Sequence, residues 1–325
     1  MVHQKTPHKV VILSRTFGKA SDDPINYLHE HGIEYELVRN DRPEDYEWIA
    51  EKIGDADAVI TGSDVINRYV MDHCPNLRVI CKHGVGLDNI DLRLAKERGI
   101  GVKNTPDANN ESVADLTVLI ILALLRGFLH NAIKSSTPDW KAKMLTNDLY
   151  GKTVGLIGFG KIGSSVAKRL VGFDTTILVY DPYIESEAIV TANTFLCDFD
   201  EVLSRSDIVS LHLPLDDSTY NIIDYGAIMK MKDGAIIINT SRGCLIDNDA
   251  LYNALKSGKL KGAGLDVFPV EPPVNDPLLT LDNVVATPHI APHTVEANYR
   301  MGMGTSRNVV SYLTMLDKQK DEIQA

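Results

Sequence analysis

The sequence predicts an α/β protein made of two doubly wound parallel-sheet domains, and three observations carry that prediction. The chain has 325 residues, too many for one ordinary core and a suitable length for two domains. Short apolar runs that read as strands alternate with helical segments along nearly all of it, which is the punctuation of parallel sheets covered on both faces. A second and stronger series of strands then begins near Gly151 and opens on a glycine-rich turn.

In the first series, residues 9–13 (KVVIL), 58–61 (AVIT) and 79–81 read as strands, with helices expected over 24–31 and 43–53. In the second, strands are expected at 153–157, 176–180, 208–211, 235–239, 262–266 and 284–286, with a helix over 162–171. That is the strand count of a doubly wound nucleotide-binding domain. Between the two series lies SVADLTVLIILALLRGFL, residues 112–129, apolar almost all round, with Ser112 as a good N-cap. A helix apolar on every face must be covered, by a domain-crossing contact, a subunit interface, or both. Residues 135–148 are polar and contain a proline, so they read as an exposed arm. No internal repeat or low-complexity tract is present.

Composition narrows the classes of function. A net charge of −11 repels phosphate backbones and excludes nucleic-acid binding as the main role, while leaving room for a locally basic pocket. The longest apolar run, residues 118–125, is too short to span a bilayer, and no signal peptide is expected. Cys74, Cys81, Cys197 and Cys244 form no C-x-x-C pair and no zinc-like cluster. Four reduced thiols in a cytoplasmic protein without a metal site are therefore expected.

The chemistry begins at Gly158-Phe159-Gly160-Lys161-Ile162-Gly163, a G-x-G-x-x-G string that directly follows a strand and opens a helix. In that context the first glycine makes the turn, the second lets backbone N–H groups reach a pyrophosphate, and the third lets helix and strand pack closely. Asp181 ends the next strand, about 20 residues on, where a carboxylate accepts from an adenosine ribose and repels a 2′-phosphate. NAD is thus expected over NADP. Asp181 also suits a plain turn before Pro182.

Three further motifs fall at strand ends, where such sheets do their chemistry. Arg242, in Asn239-Thr240-Ser241-Arg242-Gly243, offers a planar fork that fits a carboxylate, though a surface ion pair would also place an arginine there. Asp266, in GLDVF, could face the nicotinamide ribose or orient a neighbour, and Glu271 follows in a proline-rich loop. His289, in TPHIA, suits a general acid if a carboxylate beside it favours its charged form. His293 reads as the start of a helix and receives no role.

These motifs, with KHGVGLDNID (82–91), NTPDANNESVADLT (104–117) and LHLPL (211–215), resemble the D-isomer-specific 2-hydroxyacid dehydrogenase family in order and spacing, most clearly from Lys82 to about Leu313. The resemblance implies a Rossmann NAD-binding domain (residues 104–293) inserted in a flavodoxin-like substrate domain (1–103 and 294–325), with a cleft between them that closes on substrate. It implies Arg242 at the substrate carboxylate and carbonyl, His289 as acid/base and Glu271 as its partner. It implies a cofactor set of Gly158, Gly160, Lys161, Ile162, Gly163, Asp181, His212, Pro214, Thr240, Ser241, Arg242, Asp266 and His289. On the substrate side it implies Lys82, His83, Gly84, Val85 and Gly86, with the Val85 and Gly86 N–H groups forming an anion nest. A small anionic 2-keto or 2-hydroxy acid and a homodimer are the implied partners.

Departures from the family pattern direct the choice of substrate. Ile60-Thr61-Gly62-Ser63 lacks the arginine that many phosphoglycerate-specific members carry there. Lys82 and His83 could instead hold a phosphate or sulfonate, or be ordinary loop residues. Ile290, Ala291 and Pro292 after the histidine lean away from lactate-specific members, and an end near Ala325 leaves no room for the regulatory domain of some phosphoglycerate enzymes. A phosphoglycerate- or hydroxypyruvate-like substrate leads. A nucleotide-sensing corepressor of the same fold and a phosphite-type oxidation remain alternatives.

Overall fold

The computed structural model describes residues 7–134, 145–189 and 191–324. Most of the expected arm at 135–148 lies outside the described residues. The chain divides into two compact units, Met1–Asn109 with Pro292–Ala325, and Asn110–Ala291.

The first unit runs β1 (Lys9–Ile12), α1 (Asp23–Glu30), β2 (Glu34–Leu37), α2 (Tyr46–Ile53), β3 (Ala58–Thr61), α3 (Arg68–His73), β4 (Val79–Lys82), α4 (Leu92–Glu97) and β5 (Gly101–Lys103). Its strands are all parallel, in the order β2-β1-β3-β4-β5. That is the flavodoxin-like order. Side chains leave a strand alternately to its two faces, and the core follows that period. Val10 and Ile12 join one buried cluster with Leu28 and Ile60, while Val11 and Leu13 join the opposite one with Ile49 and Ile80.

The second unit begins with α5 (Asn110–Leu125) and α6 (Phe128–Lys134). It continues through β6 (Thr153–Ile157), α7 (Lys161–Leu170), β7 (Thr176–Tyr180), β8 (Thr194–Leu196), α8 (Phe199–Arg205), β9 (Ile208–Leu211), α9 (Tyr225–Lys230), β10 (Ala235–Asn239), α10 (Asn248–Ser257), β11 (Leu260–Leu265) and β12 (Val284–Ala286). The seven parallel strands lie in the order β12-β11-β10-β9-β6-β7-β8. The order reverses between β6 and β9, and a doubly wound sheet binds its ligand at the carboxyl ends of the strands beside such a switch. The chain then returns to the first unit as α11 (Val295–Gln324), whose Val309 and Leu313 pack with Val10 and Val79.

The structure differs from the sequence expectations where packing overrides local pattern. The apolar helix starts at Asn110, so Ser112 is a buried first-turn residue rather than the cap. It breaks at Gly127, where φ is +50°, and α6 follows. The break between the units falls at Asn109, beyond the expected 103, because residues 104 and 105 are tied back into the first unit. Thr105 N donates to Gly84 O at 2.9 Å and Asn104 Nδ2 to Val85 O at 2.7 Å. Strands β2, β5 and β8 carried no sequence signal. All three are sheet edges, and β2 (EYEL) is exposed at every position.

One close approach fixes α5 on its sheet. A Cβ on Gly264 of β11 would fall 2.2 Å from Ile120 Cγ2, so only glycine lets the helix lie this near the strand. Gly264→Ala should therefore destabilise the fold by about 1–3 kcal/mol, the usual cost of overpacking. Urea denaturation measures it, and an unchanged midpoint would mean that α5 does not press on β11.

Candidate active site

The turn after β6 is shaped by backbone contacts. At Gly158, φ is +94° and a Cβ would lie 2.5 Å from His212 O. At Gly163 a Cβ would lie 2.3 Å from Gly158 O. Gly160 differs: nothing lies within 4 Å of its would-be Cβ, and it caps α7 without a side-chain hydrogen bond. Open space in front of uncapped helix N–H groups is the requirement for a bound phosphate. Lys161 and Ile162 form the first turn there.

Asp181 lies just beyond β7. Its Oδ2 accepts from Phe159 N at 2.8 Å and its Oδ1 from Tyr183 N at 3.0 Å. Each carboxylate oxygen can accept a second hydrogen bond, so the group can tie the glycine turn and still receive ribose hydroxyls. After β9, His212 Nε2 lies 3.0 Å from Ser210 Oγ, and its buried Nδ1 has no hydrogen-bond partner among the described residues. Burial pushes this imidazole down to about 3, so it stays neutral. Pro214 follows, exposed. Together, the open glycine cradle, the half-used carboxylate and the orphaned imidazole nitrogen fit a dinucleotide.

The loop after β10 is held from below. Buried Asn239 accepts from Ser241 N at 3.1 Å and donates to Arg242 O at 2.8 Å. Ser241 Oγ donates to Leu211 O at 2.8 Å. Thr117 Oγ1 gives its proton to Val113 O at 2.8 Å, so Thr240 Oγ1, 3.0 Å away, donates to it. Arg242 Nη1 donates to Ser241 O at 2.7 Å. At Gly243 a Cβ would fall 1.9 Å from the Phe268 carbonyl carbon, so the arginine loop and the Glu271 loop meet backbone to backbone.

His289 completes the group, with φ of +53°. Its Nδ1 lies 2.8 Å from Glu271 Oε2, while Glu271 Oε1 accepts from Phe268 N at 3.1 Å. Burial pulls the Glu271 carboxyl upward, but the His289 hydrogen bond and charge, the Phe268 N–H and the Arg242 charge outweigh it. The net result is a carboxyl held below its ordinary range. The two side chains are 45% and 39% exposed, so His289 Nε2 remains open to a reactant.

Asp266 ties the loop beyond β12 to the end of β11. It is fully buried, and Oδ1 accepts from Thr287 Oγ1 at 2.6 Å and Ile290 N at 2.8 Å, while Oδ2 accepts from Ala291 N at 2.9 Å. It orients the histidine loop. Asn239, Thr117 and Thr287 had no assigned role in the sequence. Asn239 stands inside its motif, but only the fold brings Thr117 and Thr287 to their partners.

The residues expected on the substrate side lie in the first unit, at the end of β4 and just after it. Gly84 has φ of +151°, and the Gly84 and Val85 carbonyls turn toward residues 104 and 105. The N–H groups of Val85 and Gly86 make no backbone hydrogen bond among the described residues. Lys82 Nζ donates to Gly62 O and to Asn89 Oδ1, the latter at 2.7 Å. Buried Asp64 organises the facing loop, accepting from Thr61 Oγ1 at 2.9 Å, Gly62 N at 2.8 Å and Asn40 Nδ2 at 2.6 Å. His83 is the second residue offered for a phosphate or sulfonate. It is 6% exposed, and burial, with the His293 and Lys82 charges, pushes it down to about 4. This buried setting favours the neutral imidazole.

Residues 118–291 match the model of the D-isomer specific 2-hydroxyacid dehydrogenase NAD binding domain. The chain is 43% identical over 284 residues to a D-3-phosphoglycerate dehydrogenase of Methanocaldococcus jannaschii, covering 86% of this chain and 53% of that protein. It thus spans about half the length of that relative. It is 45% identical over 249 residues to a hydroxypyruvate reductase of Thermotoga maritima, covering 75% of this chain and 80% of that one. Among solved structures, the TT0316 protein of Thermus thermophilus superposes with a TM-score of 0.85 at 35% identity, over 94% of this chain and 97% of that one. With the NAD-binding motif matched across the second unit and both sheets in the expected order, the chain belongs to the D-isomer specific 2-hydroxyacid dehydrogenase family.

Proposed function

We propose that this protein interconverts a D-2-hydroxy acid and its 2-keto acid with NAD, and that a phosphoglycerate- or hydroxypyruvate-like acid is its substrate. The 2.8 Å contact between His289 Nδ1 and Glu271 Oε2 carries the reading. A site that only senses a nucleotide has no need of an oriented imidazole beside an arginine. The nicotinamide, when bound, gives a hydride to the keto carbon or takes one from the hydroxy carbon. The second unit would hold the dinucleotide through the Gly158–Gly163 turn and Asp181. The Val85 and Gly86 N–H groups of the first unit are suited to the substrate carboxylate.

Arg242 binds the carboxylate and draws electron density from the carbonyl oxygen. His289, with Nδ1 fixed by Glu271, gives a proton from Nε2 to that oxygen as the hydroxy acid forms, and takes it back in the reverse direction.

NADH oxidation against 3-phosphohydroxypyruvate, hydroxypyruvate, glyoxylate and pyruvate tests the whole reading. His289→Ala should cut kcat about 10²–10⁴-fold, the usual worth of general acid catalysis, with NADH affinity kept. Near-normal turnover in that variant removes His289 from the chemistry. Absence of turnover by the wild type on every acid, with tight NADH binding, favours the sensor.

The pair also predicts a pH dependence of stability. Because the folded-state pKa of Glu271 is depressed, its contribution is present above the unfolded value of about 4.3. It is lost as pH falls through the folded value. The urea midpoints of wild type and Glu271→Gln should thus differ near pH 6 and converge below about pH 4. A gap that persists unchanged to lower pH contradicts the pairing.

A second copy of the chain is the proposed cover for α5 and α6. Leu119, Phe128, Leu129 and Ile133 are 59%, 60%, 49% and 71% exposed on them. Such an apolar strip marks an interface. Light scattering should give twice the chain mass, and Phe128→Glu should lower it; a monomeric wild type rejects the assignment.

A further inference from the structure

We propose that the first unit carries a second anion-binding site, on the flank of α11, that takes a small dianion (a phosphate monoester or a dicarboxylate) and acts on the Gly84–Gly86 turn. The site is a cavity of about 390 Å³ between α11 and residues 104–108. That size falls in the range of small-molecule pockets, ~300–1,000 Å³.

Charge and spacing point to the ligand class. From Ala297 to Leu316 the only charged side chains of α11 are Arg300 and Arg307, and both line the cavity. Seven residues apart, they stand on one helix face two turns apart. Neither makes an ion pair among the described residues. In a chain of net charge −11, a stripe of two arginines without carboxylate partners runs against the surrounding surface. Asp107 also lines the cavity, so two guanidinium groups stand against one carboxylate. Between the arginines lies Gly304, where a Cβ would fall 2.9 Å from Thr105 Cγ2. The helix touches the facing segment there, and the arginines flank the contact. Asn104 and Asn308 add amide groups to the wall. Two planar forks with polar neighbours suit phosphate or carboxylate oxygens.

The cavity wall is also the back of the substrate-side turn. On the helix side, Asn308 Nδ2 donates to Asn104 O and Arg300 Nε to Ala108 O, each at 2.8 Å. On the other side, Asn104 Nδ2 donates to Val85 O at 2.7 Å, and Thr105 N and Oγ1 to Gly84 O at 2.9 and 3.0 Å. An anion that engages Arg300 and Asn308 draws on the donors that hold this strip, and the strip holds the turn. The effect on substrate rests on the function proposed above; the binding does not.

Isothermal titration of the full chain with inorganic phosphate, and separately with malonate, tests the site in wild type, Arg307→Gln and Arg242→Gln. Arg307 is exposed, so its replacement leaves the fold intact. Wild type and Arg242→Gln should bind alike, and Arg307→Gln about tenfold more weakly, as expected for losing one charge-assisted contact. Arg307-dependent binding of phosphate alone assigns a phosphate monoester, and of malonate alone a dicarboxylate. Equal binding by Arg307→Gln and wild type, or no binding at all, overturns the site. Loss in Arg242→Gln alone places the anion at the proposed active site and also overturns it. On the substrate found by the panel, the bound anion should change KM and leave kcat, in wild type and not in Arg307→Gln. Arg307-dependent binding without that change refutes the coupling to the turn.

Discussion

His289 stands in left-handed backbone because a buried carboxylate holds the loop on both sides of it. Asp266 receives the Thr287 hydroxyl and the Ile290 and Ala291 N–H groups, and its own carbonyl accepts from His289 N at 2.9 Å. A left-handed conformation costs a residue with a Cβ roughly 1–3 kcal/mol and persists only where the surroundings over-determine it. A buried carboxylate without partners would cost more, yet here three donors meet it. The two costs offset each other in one structure: the loop satisfies the carboxylate, and the carboxylate fixes the loop. The imidazole is thereby delivered to Glu271, 2.8 Å away.

The rest of the second unit converges on the same edge. β6, β9, β10 and β11 are parallel and adjacent, so their carboxyl ends lie together, and the loops that leave them carry the glycine turn, His212, Arg242 and Glu271. Parallel strands need long crossovers and are buried on both faces. Their interiors are therefore committed to apolar side chains, and polar chemistry is left to the loops.

Most of this was legible in the sequence for a physical reason. Strands buried on both faces, such as AVIT and TVGLI, must be continuously apolar, so their positions are visible without a structure. Three of the four edge strands, β2, β5 and β8, were not legible; EYEL, for one, buries nothing, and its pairing is a backbone matter. Arg242, Glu271 and His289 could be proposed together because each stands in a motif at a strand end. Charge state could not. His83 and His212 are only letters in the sequence, and the burial that favours their neutral forms comes from the fold. Asp266 was equally ambiguous, since its role depends on donors from the loop beyond β12.

The framework that holds the chemistry is made largely of backbone. Gly158 meets His212 O, Gly163 meets Gly158 O, and Gly243 meets the Phe268 carbonyl, each at a distance that no Cβ could occupy. These contacts set the spacing of the loops whatever side chains project from them. Arg242, Glu271 and His289 contribute little to that spacing, so their chemistry is separable from the fold. A side chain with another task can stand in the same loops without disturbing the sheet, which is how one fold comes to host different activities. Function in such a protein must then be argued from the side chains at the strand ends, and here those side chains include His289 hydrogen-bonded to Glu271, with Arg242 in the adjoining loop.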